Sequence, residues 1–577
     1  MKNIASIFAV CVLLTASMVN AQNITNTLGA SGSFKIKDAA NDYLTLSQST
    51  GQVNILKTLR LENSTNSTTG IIFKGADRFI HNYGTDNTFI GISSGNFTMT
   101  GTYNTAVGPG SLSSNSTGSS NTAIGNGALL YNTTGSFNTA HGLNALYYNT
   151  TGENNTANGY QALVSNTTGN NNTACGFEVL LSNTTGSFNT ANGSRALNFN
   201  TTGEYNTANG HLALYLNTTG NNNTANGYGA LSNNTTGYNN SASGFATLYS
   251  NTTGYNNTAT GLNALYSNTT GNWNTANGFR TLYSNTTGEY NTSTGYQSLY
   301  LNTTGYENTA NGSGALLNNT TGNVNTAIGS GALYFNTTGA GNTADGAYAL
   351  YSNIGDHNTA NGYFALYSNT TGFDNTACGM FALYSNNTGN YNSALGYNAY
   401  PTVATTNYTG LGYNVGGASS ISNSVEIGNT SVGWIGGQVG WSIYSDERIK
   451  DNVSENVPGL SFINKLRPVT YNLNIHKQNE MMYKGKENQE EWASKYDIEK
   501  IRMTGFIAQE VEKAAQEIDY NFSGVEKSKD ENGLYSLRYS EFVVPLVKAV
   551  QEQQATIQNQ QKTIEDLNKR LEALERK

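Results

Sequence analysis

Asn138-Thr139-Ala140-His141-Gly142-Leu143-Asn144-Ala145-Leu146-Tyr147-Tyr148-Asn149-Thr150-Thr151-Gly152-Glu153-Asn154 is one unit of a seventeen-residue pattern that recurs eighteen times between Thr98 and about Thr402. A period held this strictly marks a solenoid or an array, in which length is added without enlarging any single core. The glycine series Gly142, Gly159, Gly176, Gly193 and the asparagine series Asn138, Asn155, Asn172, Asn189 hold in every copy. The leucine series Leu146, Leu163, Leu180, Leu197 gives way only in the last unit, at Tyr400. One residue is missing near Asn353-Ile354-Gly355, and the register resumes at once, so the deletion belongs to a turn.

Asn-Thr-Ala-x-Gly and Ala-Leu-Tyr are both short runs capable of β structure, and Asn-Thr-Thr-Gly is turn chemistry with a glycine available for positive φ. Two strands and two turns per unit predict one flattened coil. Alternation along a strand sets Ala140 opposite Thr139 and His141, and Leu146 opposite Ala145 and Tyr147, with the leucine column as the candidate core. The slot before the invariant glycine holds Val107, Ile124, His141, Asn158 and Cys175, so one strand face accepts polar groups. At about 4.8 Å per coil the array makes a rod about 85 Å long. So small a coil encloses little apolar volume, and lateral association of several chains is expected to supply the missing burial.

Charge divides the chain in two. Only 11 % of the 577 residues are charged. The array carries eight acidic residues and two basic ones, Arg195 and Arg280, whereas 20 of the 29 Lys and Arg follow Ser445. No basic groove accompanies the repeats, and a net charge of -8 argues against nucleic-acid or anionic-membrane binding. Residues 1–21 read as a secretory signal peptide: Met1-Lys2-Asn3, an apolar run from Ile4 to Ala16, and the small-residue site Val19-Asn20-Ala21. Cys11 lies within that run in a poor lipoprotein context, and no later stretch reaches the roughly 20 apolar residues of a membrane-spanning helix. A secreted or surface-displayed bacterial protein follows, with no membrane insertion.

Residues 22–97 contain alternating runs, Phe34-Lys35-Ile36-Lys37, Tyr43-Leu44-Thr45-Leu46, Val53-Asn54-Ile55 and Leu59-Arg60-Leu61, that predict a β-rich N-terminal cap over the open edge of the first coil. Residues 403–444, with Trp434 and Trp441 among many glycines, predict a β connector. Cys175 and Cys378 share one slot of the repeat twelve units apart, too far to pair within a linear rod. His81, His141, His211, His357 and His476 show no metal-ligand spacing, so neither a metal nor another cofactor is expected. Nearly every unit carries an Asn-Thr-Thr acceptor sequence for N-glycosylation, but stacked Asn and Thr bonding to their turns and to neighbouring coils account for the same residues.

Asn325-Thr326-Ala327-Ile328-Gly329 with Ala332, Asn121-Thr122-Ala123-Ile124-Gly125, and Asn423-Ser424-Val425-Glu426-Ile427-Gly428 resemble the head repeats of trimeric autotransporter adhesins. That resemblance implies a left-handed parallel β-roll built by three chains. The family's coil is shorter, and most units here carry Asn where it carries Ile.

After Tyr444 the composition changes abruptly. Ser445-Asp446-Glu447-Arg448-Ile449-Lys450, Gly459-Leu460, Leu466-Arg467-Pro468-Val469-Thr470-Tyr471, Gly505-Phe506-Ile507-Ala508-Gln509-Glu510-Val511 and Leu537-Arg538-Tyr539-Ser540 follow in order. This succession resembles the intramolecular chaperone domain of phage endosialidase tail spikes. The resemblance implies a domain, here 445–540, that trimerises, guides the upstream fibre into register, and then cuts itself off with a Ser-Lys dyad, here Ser445 and Lys450. The chemistry is plausible in itself, because a lysine desolvated in a trimer can act as base toward a serine hydroxyl. Five residues is about 140° around a helix, so a turn, or Lys450 of a neighbouring subunit, must bring the pair together. From 541 to 577 heptads emerge, with Val543, Val550, Ile557, Ile564 and Leu571 at a, and Leu546, Gln553, Gln560, Leu567 and Leu574 at d. They predict a parallel coiled coil of about five heptads, read with the family resemblance as a trimer.

The sequence therefore predicts a mainly β chain: a trimeric β-roll or β-solenoid fibre, then a small α+β chaperone domain ending in a coiled coil. The expected function is that of an exported homotrimeric, adhesin-like fibre engaging a host glycan or surface receptor, with at most single-turnover autoproteolysis at Ser445. The competing readings are a tail-spike-like fibre that binds or degrades glycans, and a structural fibre that does not cleave itself. A glycan hydrolase is opposed by the lack of a carboxylate pair in an irregular, charge-bearing domain of the array.

Overall fold

Each seventeen-residue unit folds as one coil of a long parallel β-solenoid of about nineteen turns, followed by a small α+β region that ends in a helix. The computed structural model describes residues 33–37, 42–47, 53–55, 59–400, 405–416, 422–432, 435–438, 443–483, 495–527 and 534–576. The signal peptide expected at 1–21, with Cys11, and the connector residues Trp434 and Trp441 lie outside the described residues.

The strand of a coil is three residues long. Thr139–His141 pairs in parallel with Thr156–Asn158, threonine to threonine and alanine to alanine. Ala140 is wholly buried while Thr139 and His141 are exposed, as alternation requires. The ladder begins before the array, at Thr88–Ile90, and continues beyond it through Tyr408–Leu411 to Ser424–Ile427. Cys175 and Cys378 are exposed free thiols on the outward side of this strand column.

Ala-Leu-Tyr does not form the expected second strand. Asn144 has φ 57° and Leu146 φ 51°, which turns the chain sharply and lets both Ala145 and Leu146 point inward. A left-handed backbone costs a leucine about 1–2 kcal/mol, whereas full burial of its side chain contributes about 1.5–3 kcal/mol. Burial wins by a narrow margin, so a coil has one strand where the sequence suggested two. The alanine columns before and after the glycine face each other across a thin interior. Their contact is visible where both become serine, since Ser293 Oγ lies 2.7 Å from Ser298 Oγ and the latter donates to Ala310 O. The invariant glycine is fixed by crowding: at Gly142 φ is 139°, and a Cβ would sit 2.3 Å from the carbonyl oxygen of Gly159 in the next coil.

Two buried asparagine columns complete the coil-to-coil bonding. Asn155 N–H has no carbonyl partner in the stack and donates to Asn138 Oδ1 of the preceding coil at 3.0 Å. Asn138 Nδ2 donates in turn to Gly152 O at 2.9 Å. The second column, from the Asn-Thr-Thr-Gly turn, links Asn149 Nδ2 to Asn132 Oδ1 at 2.8 Å and to Gly152 O at 3.0 Å. These asparagines have no solvent exposure, so their Asn-Thr-Thr sequences offer no glycan acceptor in the folded rod. The missing residue at 353–355 interrupts this second column. Asn353 Nδ2 bonds to Gly355 O, and Asn336 Oδ1 is left buried without a partner.

The N-terminal edge of the first coil is covered. Asp77–His81 pairs antiparallel with both Ile72–Lys74 and Thr88–Ile90, closing the ladder with a hairpin. Ser33–Lys37, Asp42–Ser47 and Val53–Ile55 form a separate antiparallel sheet, whereas Leu59-Arg60-Leu61 is not a strand. His81 is buried between Phe89 and Phe97, with Nε2 2.8 Å from Ser94 O. Burial pushes its pKa below the ordinary 6.5, nearby Arg78 adds to this, and the Ser94 carbonyl opposes it.

Two outcomes test this account. Because His81 is harder to protonate when folded, its contribution to cap stability is complete above about pH 6.5 and declines as the pH falls below that value. Exchange protection at 72–97, taken relative to the intrinsic amide rate at each pH, should therefore fall between pH 7.5 and 5.5, and His81→Gln should flatten that dependence. In the array, Leu214→Gly should be less destabilising than Leu214→Ala by about 1 kcal/mol, the reverse of the order in ordinary helices and strands, because glycine relieves the left-handed strain. Exchange protection of that coil in the two variants measures the order.

Candidate functional site

Ser445 is reached along an exposed approach in which Tyr444 is 94 % exposed. Asp446 then starts a single 3-10 turn, Glu447–Ile449. Its Oδ1 accepts from Arg448 N at 2.9 Å and from Arg448 Nε at 3.0 Å, and its Oδ2 accepts from Arg448 Nη2 at 2.6 Å. These bonds hold the Asp446 carboxyl below the usual carboxylate range. The turn reverses the chain within five residues, so Lys450 Nζ donates to Ser445 Oγ at 2.7 Å. The two residues proposed from the sequence are thus in direct contact within one chain, through a turn and not across a helix. Both are exposed. Asp446 and Arg448 are occupied in shaping the turn.

The landmarks further along converge on one small core. Helix α1 (Leu460–Ile463), helix α2 (Ile475–Tyr483) and helix α3 (Ala508–Gln516) precede the long helix α4 (Val543–Glu575). Phe462 of α1, Val511, Ala514 and Ala515 of α3, Phe522 and Phe542 pack together. Val469–Tyr471 pairs antiparallel with Met503–Gly505. Arg467 reaches α3 by donating Nε to Glu510 Oε2 at 3.0 Å, with Nη2 on Glu510 Oε1 as well. Tyr539 Oη accepts from Phe506 N at 2.9 Å, and a Cβ on residue 505 would lie 2.2 Å from that oxygen. The Gly505-Phe506 and Arg538-Tyr539 landmarks are therefore two halves of one contact.

One functional residue gave no signal in the sequence. Glu552 Oε2 accepts from Leu460 N at 2.7 Å, so it caps α1 from α4, and a Cβ at Gly459 would meet Ala549 N at 2.6 Å. This clamp uses the Pro545 and Ala549 side of α4, both buried. The other side keeps Val543, Leu546, Val550, Ile557, Ile564, Leu567, Leu571 and Leu574 exposed, each by about half or more. His476 is taken up by Glu499, Nδ1 to Oε1 at 3.0 Å, and among the described residues no group of His, Cys, Asp and Glu is arranged to hold a metal.

Gly505→Ala should cost the C-terminal region about 1–3 kcal/mol by overpacking against Tyr539. Adding Tyr539→Phe should recover part of the loss, because the clashing atom is the hydroxyl. Thermal unfolding of the full-length single and double variants measures the coupling.

No curated protein and no solved structure matches the chain. Residues 445–520 match the family model described as the chaperone of endosialidase, a match that begins on the serine touched by Lys450 and takes in α1, α2 and α3.

Proposed function

We propose that the chain is an exported homotrimeric fibre whose C-terminal region assembles three solenoids in parallel and then separates from them by cleavage at Ser445. The observation that carries this reading is α4. A 33-residue helix held to the domain only near its start, at Pro545, Ala549 and Glu552, with an apolar residue at eight of its ten a and d positions and all eight left exposed, is half of an interface. Parallel helices would start three rods side by side at the same residue.

Cleavage needs Lys450 to accept the Ser445 hydroxyl proton, and an exposed ammonium is a poor base. Covering of the Ser445–Lys450 turn by neighbouring subunits would desolvate the amine and favour its neutral form, which ties cleavage to completed assembly. The exposure of Lys450 in the single chain also favours a second reading, in which the fibre retains its chaperone. The work of the released rod is adhesive or structural, since identical coils offer many weak contacts whose avidity to a host glycan or surface receptor grows with their number. The adhesin-like form of the unit supports this use. A tail-spike-like role is the alternative.

Full-length protein should assemble with three times the 61.6 kDa chain mass, less whatever is cleaved, and on denaturing gels should release a fragment of roughly 130 residues that Ser445→Ala abolishes. Light scattering and gels read the two separately. A monomer defeats the fibre reading, and an uncut wild-type trimer leaves assembly standing but removes the cleavage.

A further inference from the structure

Asn353-Ile354-Gly355 has one residue between asparagine and glycine where the turns before and after it have two, and a depression of about 280 Å³ lies at this place. It is lined by Ile354, Gly355, Asp356 and His357 of one turn and by Thr371 and Phe373 of the next. The rod has two later sixteen-residue spacings, Ser393 to Thr409 and Tyr408 to Ser424. Their turns, 401–407 and 417–423, contain no charged or aromatic residue.

Asp356 is fixed in place with an oxygen to spare. Its Oδ1 accepts from Ala340 N at 2.8 Å, the bond that Asn323 and Asn390 also make to the coil before them, which leaves Oδ2 for another partner. Asp374 Oδ1 is 3.7 Å from His357 Nδ1, too far for a hydrogen bond, so this second carboxylate is also open to one. Ile354, 41 % exposed, and Phe373, 36 % exposed, set apolar surface beside these polar groups. Phe373 meets the Tyr391 ring of the following coil edge to face, and the coil before it presents Asp356 and His357. Glu289, Tyr290, Tyr306 and Glu307 repeat this order of acids and rings in two earlier turns. There, however, Glu289 Oε1 accepts from Asn272 Nδ2 at 2.9 Å, and the turn keeps both threonines, Thr286 and Thr287. What sets 354–373 apart is the missing turn residue beside its acids.

We propose that this depression binds one non-acidic pyranose unit of a surface glycan. The inference rests on the adhesive reading of the rod and gives that reading a defined contact. A carboxylate accepts strong, charge-assisted bonds from neighbouring hydroxyls, and an exposed ring with an aliphatic neighbour packs against the C–H face of a sugar. Pockets for drug-sized ligands begin at about 300 Å³, so the space takes a single ring and not a chain. Asp356 and Asp374 would repel a carboxylate-bearing sugar, and the only cations of the array, Arg195 and Arg280, belong to other coils.

Saturation-transfer NMR of the full-length protein with methyl mannoside, methyl galactoside, methyl N-acetylglucosaminide and sialic acid tests this. At least one neutral glycoside should receive saturation, and sialic acid should not. Asp356→Asn and Phe373→Asn each introduce the residue that Asn323 and Asn390 already supply at this slot of the repeat. Each should weaken binding about tenfold, the size expected for one lost charge-assisted contact. A third variant, Ile354→Thr with one threonine inserted after it, restores the usual turn, leaves both acids in place and returns a partner to the buried Asn336 Oδ1. It should abolish binding without lowering thermal stability, so a loss of signal there is not a loss of fold. Binding that persists unchanged in all three variants would overturn the site and leave the adhesive reading standing. Preference for sialic acid, or no transfer to any of these sugars, would overturn the site as well, and binding of the wild-type protein to a glycan array judges the adhesive reading separately.

Discussion

A buried side-chain amide that bonds forward and backward along the rod axis is the constraint on which this structure depends. Asn138 accepts from the Asn155 N–H through Oδ1 and steadies the Gly152 carbonyl through Nδ2. An unsatisfied buried polar group costs about 1–3 kcal/mol, so each coil must present its asparagine at the height where the next coil needs it. That requirement fixes the height of each coil and not its residue count, since the ladder is kept across the short coil, where Asn358 N donates to Asn342 Oδ1 at 2.9 Å. It also explains how so thin an interior stays ordered: the apolar filling is little more than two alanines and a leucine per coil, and the amide columns supply specificity that the core volume does not.

The cost of so regular a stack is degeneracy. Every coil fits its neighbour's place, and the strand pairs carry the same residues along most of the rod, threonine on threonine and alanine on alanine. Register between separate chains needs a reference outside the repeat. In the proposed trimer the exposed apolar seam of α4 is the element placed to set that common origin. The Ser445–Lys450 turn stands in sequence between the coils and this helix, in an exposed stretch at the start of the chaperone-like region.

Much of this was legible because it follows from period and polarity. The seventeen-residue repeat dictated a solenoid, the alternation of Thr139, Ala140 and His141 dictated which side chain turns inward, and the heptads dictated a helix with one apolar side. The order of landmarks after Tyr444 singled out Ser445 and Lys450. The second strand was misread because Ala-Leu-Tyr has strand-like composition, and only packing decides that a leucine should accept a left-handed backbone in exchange for full burial.

The sequence by itself determined the period, the compartments of charge, the candidate dyad and the apolar seam, since each is a local or periodic property of the chain. Tertiary structure alone decided that the asparagines are buried ladder rungs and not surface acceptors, that Glu552 caps α1 from 92 residues away, and that Gly505 exists to admit the Tyr539 hydroxyl. It also brought Lys450 Nζ to Ser445 Oγ. The physical reason is common to all four: hydrogen bonds and steric fit depend on which atoms meet in three dimensions, and spacing along a chain specifies that meeting only where the backbone is already a regular helix or strand.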